Sequence, residues 1–151
     1  MRLSAYPFFV AAFCGCVGMA SMAGERNSCR LEVTDAVTRL ATPAANSAAV
    51  YLRIDNPCPG DDILMSVTSE YANRTELHRL LESDSGVVSM TRLSEGIPIP
   101  AQGLQTLQPG GFHIMLMGLT GKHRKTDSVE LNLSFRHAGE ISITAPVKFG
   151  R

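Results

Sequence analysis

The sequence has 151 residues, of which 44% are hydrophobic, and this length and composition suit one globular domain with a buried core. Its 14 lysines and arginines balance 14 aspartates and glutamates, so the formal net charge is zero. A neutral chain without a charge run gives no electrostatic footprint for nucleic acid or for an anionic membrane surface, and we expect neither as a partner.

The N-terminus has the pattern of an export signal. Arg2 precedes an apolar stretch, and Ser21 and Ala23 stand at the third and the first position before a cleavage site at Gly24. The pattern predicts a signal peptide over 1–23, a mature domain over 24–151 without stable membrane insertion, and a periplasmic location. Two alternatives stay open: an uncleaved anchor, for which the apolar stretch is short, and a lipoprotein processed before Cys16, for which residues 13–15 make a poor lipobox.

Removal of a signal peptide would leave only Cys29 and Cys58 in the mature chain. In an oxidising compartment two remaining cysteines usually pair, so we expect a disulfide that ties the start of the domain to the turn around Cys58. The alternative is a pair of reactive or metal-binding thiols, although a separation of 29 positions matches no common ligand spacing.

From Cys29 onward the chain shows short apolar segments separated by turn residues, without a helical period. Apolar alternation begins at Leu31, and further strands are expected at 49–54, 63–67, 75–81, 87–90, 112–116, 129–135 and 140–147. The segment 97–100 alternates Ile and Pro, which restricts it to a sheet edge or an irregular extended conformation. Strands at such regular intervals predict one all-β domain, a sandwich or a barrel.

Two histidines and two methionines could carry chemistry on these strands. Side chains alternate along a strand, so His113 and Met115 point to one face and lie roughly 7 Å apart at Cα. A turn after residue 83 would return the chain so that His78 and Met90 lie on neighbouring strands. Thioether sulfur is a soft ligand that suits Cu(I) and adds little for zinc or calcium. Spacing alone also allows these residues to be ordinary core packing.

The sequence around these four residues resembles the PCuAC family of periplasmic copper chaperones, which is linked to assembly of the CuA centre of cytochrome c oxidase. That family carries a His, a Met about a dozen positions later and a distant His-x-Met, which correspond here to His78, Met90, His113 and Met115. Residues 46–56, 75–78, 99–101 and 107–119 also match, and the run GGFHIMLM at 110–117 is the most specific. The resemblance extends from about residue 31 to residue 147.

The resemblance implies a cupredoxin-like Greek-key β-sandwich that binds Cu(I) through these four side chains. It further implies a metallochaperone that passes copper to a transient partner, either cytochrome c oxidase subunit II or another copper chaperone. Two departures stand out: Arg79 follows His78 where the family often has Met, and the interval between Met90 and His113 is one residue longer, which places the extra residue within 91–96.

Other functions fit the sequence less well. A blue-copper carrier needs a Cys near the C-terminal ligands, and no Cys follows Cys58. No nucleophile elbow or phosphate loop is present, so we do not expect an enzyme. A copper buffer without a recipient and a metal-free interaction domain remain as alternatives. His123, in a basic loop that also holds Lys122, Arg124 and Lys125, and His137, beside a turn, are expected to be surface residues.

Overall fold

The computed structural model describes residues 29–121 and 127–150, and these ranges contain strands and turns but no helix. The expected signal peptide at 1–23 and the basic loop with His123 lie outside the described residues. No helix in the described ranges is long and apolar enough to cross a membrane. The strands are β1 (Glu32–Leu40), β2 (Ser47–Asn56), β3 (Asp62–Thr68), β4 (Ala72–Glu82), β5 (Val88–Arg92), β6 (Ile97–Ile99), β7 (Gly103–Leu107), β8 (Phe112–Leu119), β9 (Ser128–Phe135) and β10 (Gly139–Phe149).

The strands form one hydrogen-bonded path with the order β5-β4-β8-β2-β1-β10-β9-β3-β6, and β7 pairs with β2. Strand β1 lies between the two halves of this path. It pairs with β2 in antiparallel orientation and, over its last three residues, with β10 in parallel orientation. The remaining pairings are antiparallel. Strand β1 therefore joins a half that contains β4, β5 and β8 to a half that contains β3, β6 and β9.

The two halves bury their inner faces against a common core, which makes the fold a β-sandwich. In β2 the side chains of Val50, Leu52 and Ile54 are buried and their neighbours alternate outward, as the period of a strand requires. They belong to the same apolar cluster as Leu131 and Leu133 of β9, in the opposite half. The all-β sandwich predicted from the sequence is confirmed.

Two details differ from the expectations. The sequence pattern missed β7, because its two leucines are three positions apart and therefore lie on opposite faces: Leu104 is 45% exposed and Leu107 is buried. Strand β8 continues through Gly118, which has a positive φ of 63°, to Leu119, so it is longer than the expected 112–116. The expected edge position of the Ile-Pro segment is confirmed, since β6 is the terminal strand of its half.

Cys29 and Cys58 form a disulfide with Cα atoms 5.3 Å apart. The turn that holds Cys58 is organised by the buried Asn56, whose side-chain oxygen accepts a hydrogen bond from the Cys58 amide at 3.0 Å. The Asn56 side-chain amide donates to the Gly60 carbonyl at 2.9 Å. The disulfide therefore connects Cys29, just before the start of β1, to the turn between β2 and β3.

Candidate metal site

The two candidate histidines lie side by side on neighbouring strands. Strands β4 and β8 are antiparallel, and their register places His78 directly opposite His113. The ring centroids are 5.8 Å apart, and the ring planes are nearly perpendicular at 88°. The adjacent residues Leu77 and Ile114 are buried in the core, so the alternation of side chains places both histidines on the outer face of this half of the sandwich. Residues 35 positions apart in sequence thus meet on one surface.

Met90 reaches the same place from strand β5. The β4–β5 pairing puts Met90 opposite Leu80 and puts Arg92 opposite His78, so Met90 is a diagonal neighbour of His78. Its sulfur lies 3.1 Å from Nδ1 of His78. The expected hairpin that brings His78 and Met90 together is confirmed.

Met115 lies two residues after His113 on β8 and therefore shares its face. Its cross-strand neighbours are Ala49 on β2 and Glu76 on β4. Its side chain is partly buried. Met115 is thus next to the histidine pair, on the side of His113 that is away from the turn between β4 and β5.

The four side chains differ strongly in exposure. His78 and His113 are 9% and 3% exposed, whereas Met90 is 52% exposed. Strand β5 is the edge strand of its half of the sandwich, and all five of its residues are exposed. Tyr51 of β2 lies on the side of β8 away from β4 and β5, with its ring centroid 6.4 Å from that of His113. The two histidines are therefore buried, whereas Met90 is open to solvent.

The proton on the His113 ring can be assigned from its hydrogen bond. Nδ1 of His113 lies 3.0 Å from the carbonyl oxygen of Gly111, and a carbonyl can only accept. Nδ1 therefore carries the hydrogen, and in the neutral ring Nε2 keeps its lone pair. The free nitrogen of His113 is Nε2.

Glu76 is a member of this site that the sequence-based prediction did not assign. Its Oε2 is 2.9 Å from Nε2 of His78, and its Oε1 is 3.3 Å from Nε of Arg74 and 3.7 Å from Nη1 of Arg92. The hydrogen bond from His78, followed by the charges of the two arginines, lowers the pKa of Glu76 against the opposing effect of burial. Its position two residues before His78 on a strand was the available signal, because such residues share a face.

The family departure at residue 79 does not fall within the site. Arg79 pairs with Phe112 in the β4–β8 register, and its guanidinium lies 5.1 Å from the centre of the Phe112 ring. As a direct neighbour of His78 along the strand, it points to the opposite face. Of the interval 91–96, residues 91–92 belong to strand β5 and residues 93–96 form the connection to β6.

Metals that need several hard or borderline ligands find no site in the described ranges. Within residues 29–121 and 127–150, no three His, Cys, Asp or Glu side chains are grouped to hold an ion. His137 is exposed in a turn, as expected, and its backbone amide donates to Asp62. Methionine sulfur beside the histidine pair is the kind of ligand that a soft ion such as Cu(I) prefers.

Comparison with known proteins identifies a family and a relative for this chain. The family model described as "Putative lipoprotein LpqE-like" matches residues 31–147. A "Putative lipoprotein Lxx21020" of Leifsonia xyli subsp. xyli (strain CTCB07) is 31% identical over 114 residues, which are 74% of this chain and 68% of that protein.

Solved structures with a similar fold include a copper-bound PCuAC domain from PmoF2, with a TM-score of 0.66, 22% identity, and coverage of 80% of this chain and 93% of that domain. The solution structure of apo-DR1885 from Deinococcus radiodurans has a TM-score of 0.59 and 24% identity, and covers 100% of this chain and 97% of that protein. The Cu(I) form of DR1885 has a TM-score of 0.58 and 23% identity, with 85% of each chain covered. The expected resemblance to PCuAC domains is confirmed in the fold.

Proposed function

The chain belongs to the LpqE-like family, and from this membership and the geometry of the site we propose that it is an exported Cu(I)-binding protein that delivers copper to a partner. The observation that carries the proposal is the convergence of His78, His113 and Met90 on one outer face, with Met115 beside them. The PCuAC domains that share the fold include copper-bound forms, which supports the same cargo here.

The donor set favours Cu(I) over other ions for a chemical reason. Two imidazoles and two thioethers are neutral ligands, and thioether sulfur binds soft monovalent copper well but binds Zn²⁺, Ca²⁺ and Mg²⁺ weakly. Cys29 and Cys58 are paired in the disulfide, so neither offers a thiolate as a competing ligand. We therefore propose Cu(I) coordination by His78, Met90, His113 and Met115.

The unequal exposure of the ligands supports transfer of the ion to a partner. The two buried histidines, with ring centroids 5.8 Å apart, form the rigid part of the site. The exposed Met90 lies on an edge strand and can be displaced without disturbing the core. An incoming ligand from a partner could replace the Met90 sulfur first and then draw the ion outward. This arrangement suits a carrier better than a permanent metal centre, in which the ion would be enclosed on all sides.

Export is the remaining part of the proposal. Two observations support export across a membrane. One is the apolar N-terminal stretch with its small residues before Gly24, and the other is the lipoprotein description of the matching family. The disulfide fits an oxidising compartment. We propose the periplasm, with the mature domain beginning at Gly24, and cytochrome c oxidase subunit II or another copper chaperone as the recipient.

Copper stoichiometry tests the binding function. The purified protein, titrated with Cu(I) under anaerobic reducing conditions that leave the disulfide intact, should bind one ion per chain. The double variant His113→Ala, Met115→Ala should lose this binding and keep its β-sheet circular dichroism, because neither residue belongs to the apolar core cluster. Equal binding by the variant would contradict the site.

A transfer assay then separates delivery from storage. The Cu(I)-loaded protein is mixed with a purified apo CuA domain, and the copper content of each protein is measured after separation. Net movement of copper to the CuA domain, faster than from a small-molecule Cu(I) complex of matched affinity, would support delivery. A rate that is equal to that of the small-molecule complex would favour the buffer function instead.

A further inference from the structure

Glu76 is held between the metal-site histidine and two arginines, and each carboxylate oxygen has its own partners. Oε2 contacts Nε2 of His78 at 2.9 Å, and Oε1 contacts Arg74 and Arg92 at 3.3 and 3.7 Å. The Glu76 side chain is only 10% exposed, whereas the two arginine side chains are 67% and 69% exposed. The carboxylate is therefore fixed in one orientation beside the histidine.

This contact determines which nitrogen of His78 carries the hydrogen. An ionised carboxylate can only accept a hydrogen bond, so Nε2 of His78 must be the donor. In the neutral ring Nδ1 then keeps the lone pair, and Nδ1 is the atom that lies 3.1 Å from the sulfur of Met90. The opposite tautomer would place the Nε2 lone pair against an anionic carboxylate oxygen, which is less favourable than the contact of the Nδ1 lone pair with the neutral sulfur of Met90 in the assigned tautomer.

His113 has the opposite arrangement. Its Nδ1 donates to the Gly111 carbonyl, which leaves Nε2 free. The two rings therefore present different nitrogen atoms, although they come from directly paired positions on adjacent strands. A main-chain carbonyl sets the tautomer of one ring, and a side chain sets that of the other.

We infer that Glu76 is a positioning residue for the metal site, which holds His78 so that Cu(I) is bound by Nδ1 of His78 and Nε2 of His113. The inference rests on the proposed Cu(I) function. A carboxylate that accepts from the non-ligating nitrogen makes the imidazole a stronger donor and fixes the orientation of its ring.

The test measures the ring proton and the copper affinity separately. Long-range ¹H–¹⁵N correlation spectra of the ¹⁵N-labelled protein identify the protonated nitrogen of each histidine, and competition with a Cu(I) chelator gives the affinity. The variant is Glu76→Gln, whose amide can either accept from Nε2 or donate to it. The matched control is Glu82→Gln, which removes the same charge from an exposed position of the same strand.

We expect the metal-free wild type to carry the His78 proton on Nε2, and the Cu(I) form to show the bound-nitrogen shift at Nδ1 of His78 and at Nε2 of His113. In Glu76→Gln the His78 ring should populate both tautomers, and the Cu(I) affinity should fall by about 10- to 100-fold, the usual effect of losing such a partner. The control should keep the wild-type spectrum and affinity.

Two results would overturn the inference. One is a metal-free wild type with the His78 proton on Nδ1, and the other is a Glu76→Gln variant that has wild-type copper affinity. A variant with lower stability but an unchanged ring proton and affinity would show a merely structural role and would also overturn it. Absence of Cu(I) binding by the wild type would instead contradict the proposed function, and the ring proton of the metal-free protein distinguishes the two failures.

Discussion

Replacing Met115 with isoleucine separates a copper ligand from an ordinary packing residue. Met115 is partly buried on the outer face of β8, with Ala49 and Glu76 as its cross-strand neighbours. Isoleucine has a similar volume and suits a strand, so the fold should tolerate the exchange. It has no donor atom, so a metal site that uses the Met115 sulfur would lose one of its four ligands.

The two effects have different magnitudes. A nearly volume-conserving hydrophobic exchange typically costs less than about 1.5 kcal/mol of unfolding free energy. By comparison, truncation of the fully buried neighbour Ile114 to alanine should cost about 2–5 kcal/mol, because it opens a cavity in the core. Loss of one soft ligand should lower the Cu(I) affinity by at least tenfold, which corresponds to about 1.4 kcal/mol of binding free energy.

Met117→Ile is the control. Met117 lies on the same strand and face, but Arg74 donates to its sulfur at 3.6 Å, and it lies beyond Met115 from the histidine pair. Urea unfolding and chelator competition should be run on both variants. The expected result is similar stability for both and a loss of Cu(I) affinity for Met115→Ile alone. Equal affinities of wild type and Met115→Ile would remove Met115 from the site.

Three further predictions address the metal, the disulfide and the loop before β6. X-ray absorption of the Cu(I) form should show nitrogen and sulfur in the first shell, and Zn²⁺ should bind much more weakly; a shell of nitrogen and oxygen alone would contradict the ligand set. Alkylation followed by intact-mass measurement should find Cys29 and Cys58 unlabelled, and their replacement by serine should cost on the order of 3 kcal/mol without loss of copper binding; two labelled thiols in freshly isolated protein would exclude the bridge. Gly96→Ala should lower the unfolding free energy by more than about 1 kcal/mol in urea unfolding, because φ is +85° and a Cβ would lie 2.5 Å from the Leu64 carbonyl oxygen; a neutral effect would contradict the close approach.

Much of the fold and part of the site could be predicted from local patterns in the sequence. Alternation of apolar residues indicated eight of the ten strands and left residues 97–100 open between an edge strand and an irregular segment. It also placed His113 and Met115 on one face, because the direction of a side chain depends only on its position along its own strand. Turn residues after β4 indicated the hairpin that brings Met90 to His78. The family resemblance connected these two local pairs into one proposed site.

Tertiary structure decided how the pair of His78 and Met90 meets the pair of His113 and Met115. His78 and His113 meet because β8 pairs with β4 in one particular register, and a shift of one residue would send one of the two histidines into the core. That register follows from burial of Leu77, Ile114 and Leu116 against the other half of the sandwich.

The role of Glu76 and the nitrogen that each histidine leaves free depend on distances near 3 Å between atoms. Periodicity determines the face on which a side chain lies, but it contains no information on hydrogen-bond partners. Strand β7 went unpredicted for a related reason, since its pairing with β2 comes from backbone hydrogen bonds that its own side chains do not signal. The sequence by itself thus determined the fold class and the candidate ligands, and packing between strands distant in sequence decided how those ligands meet.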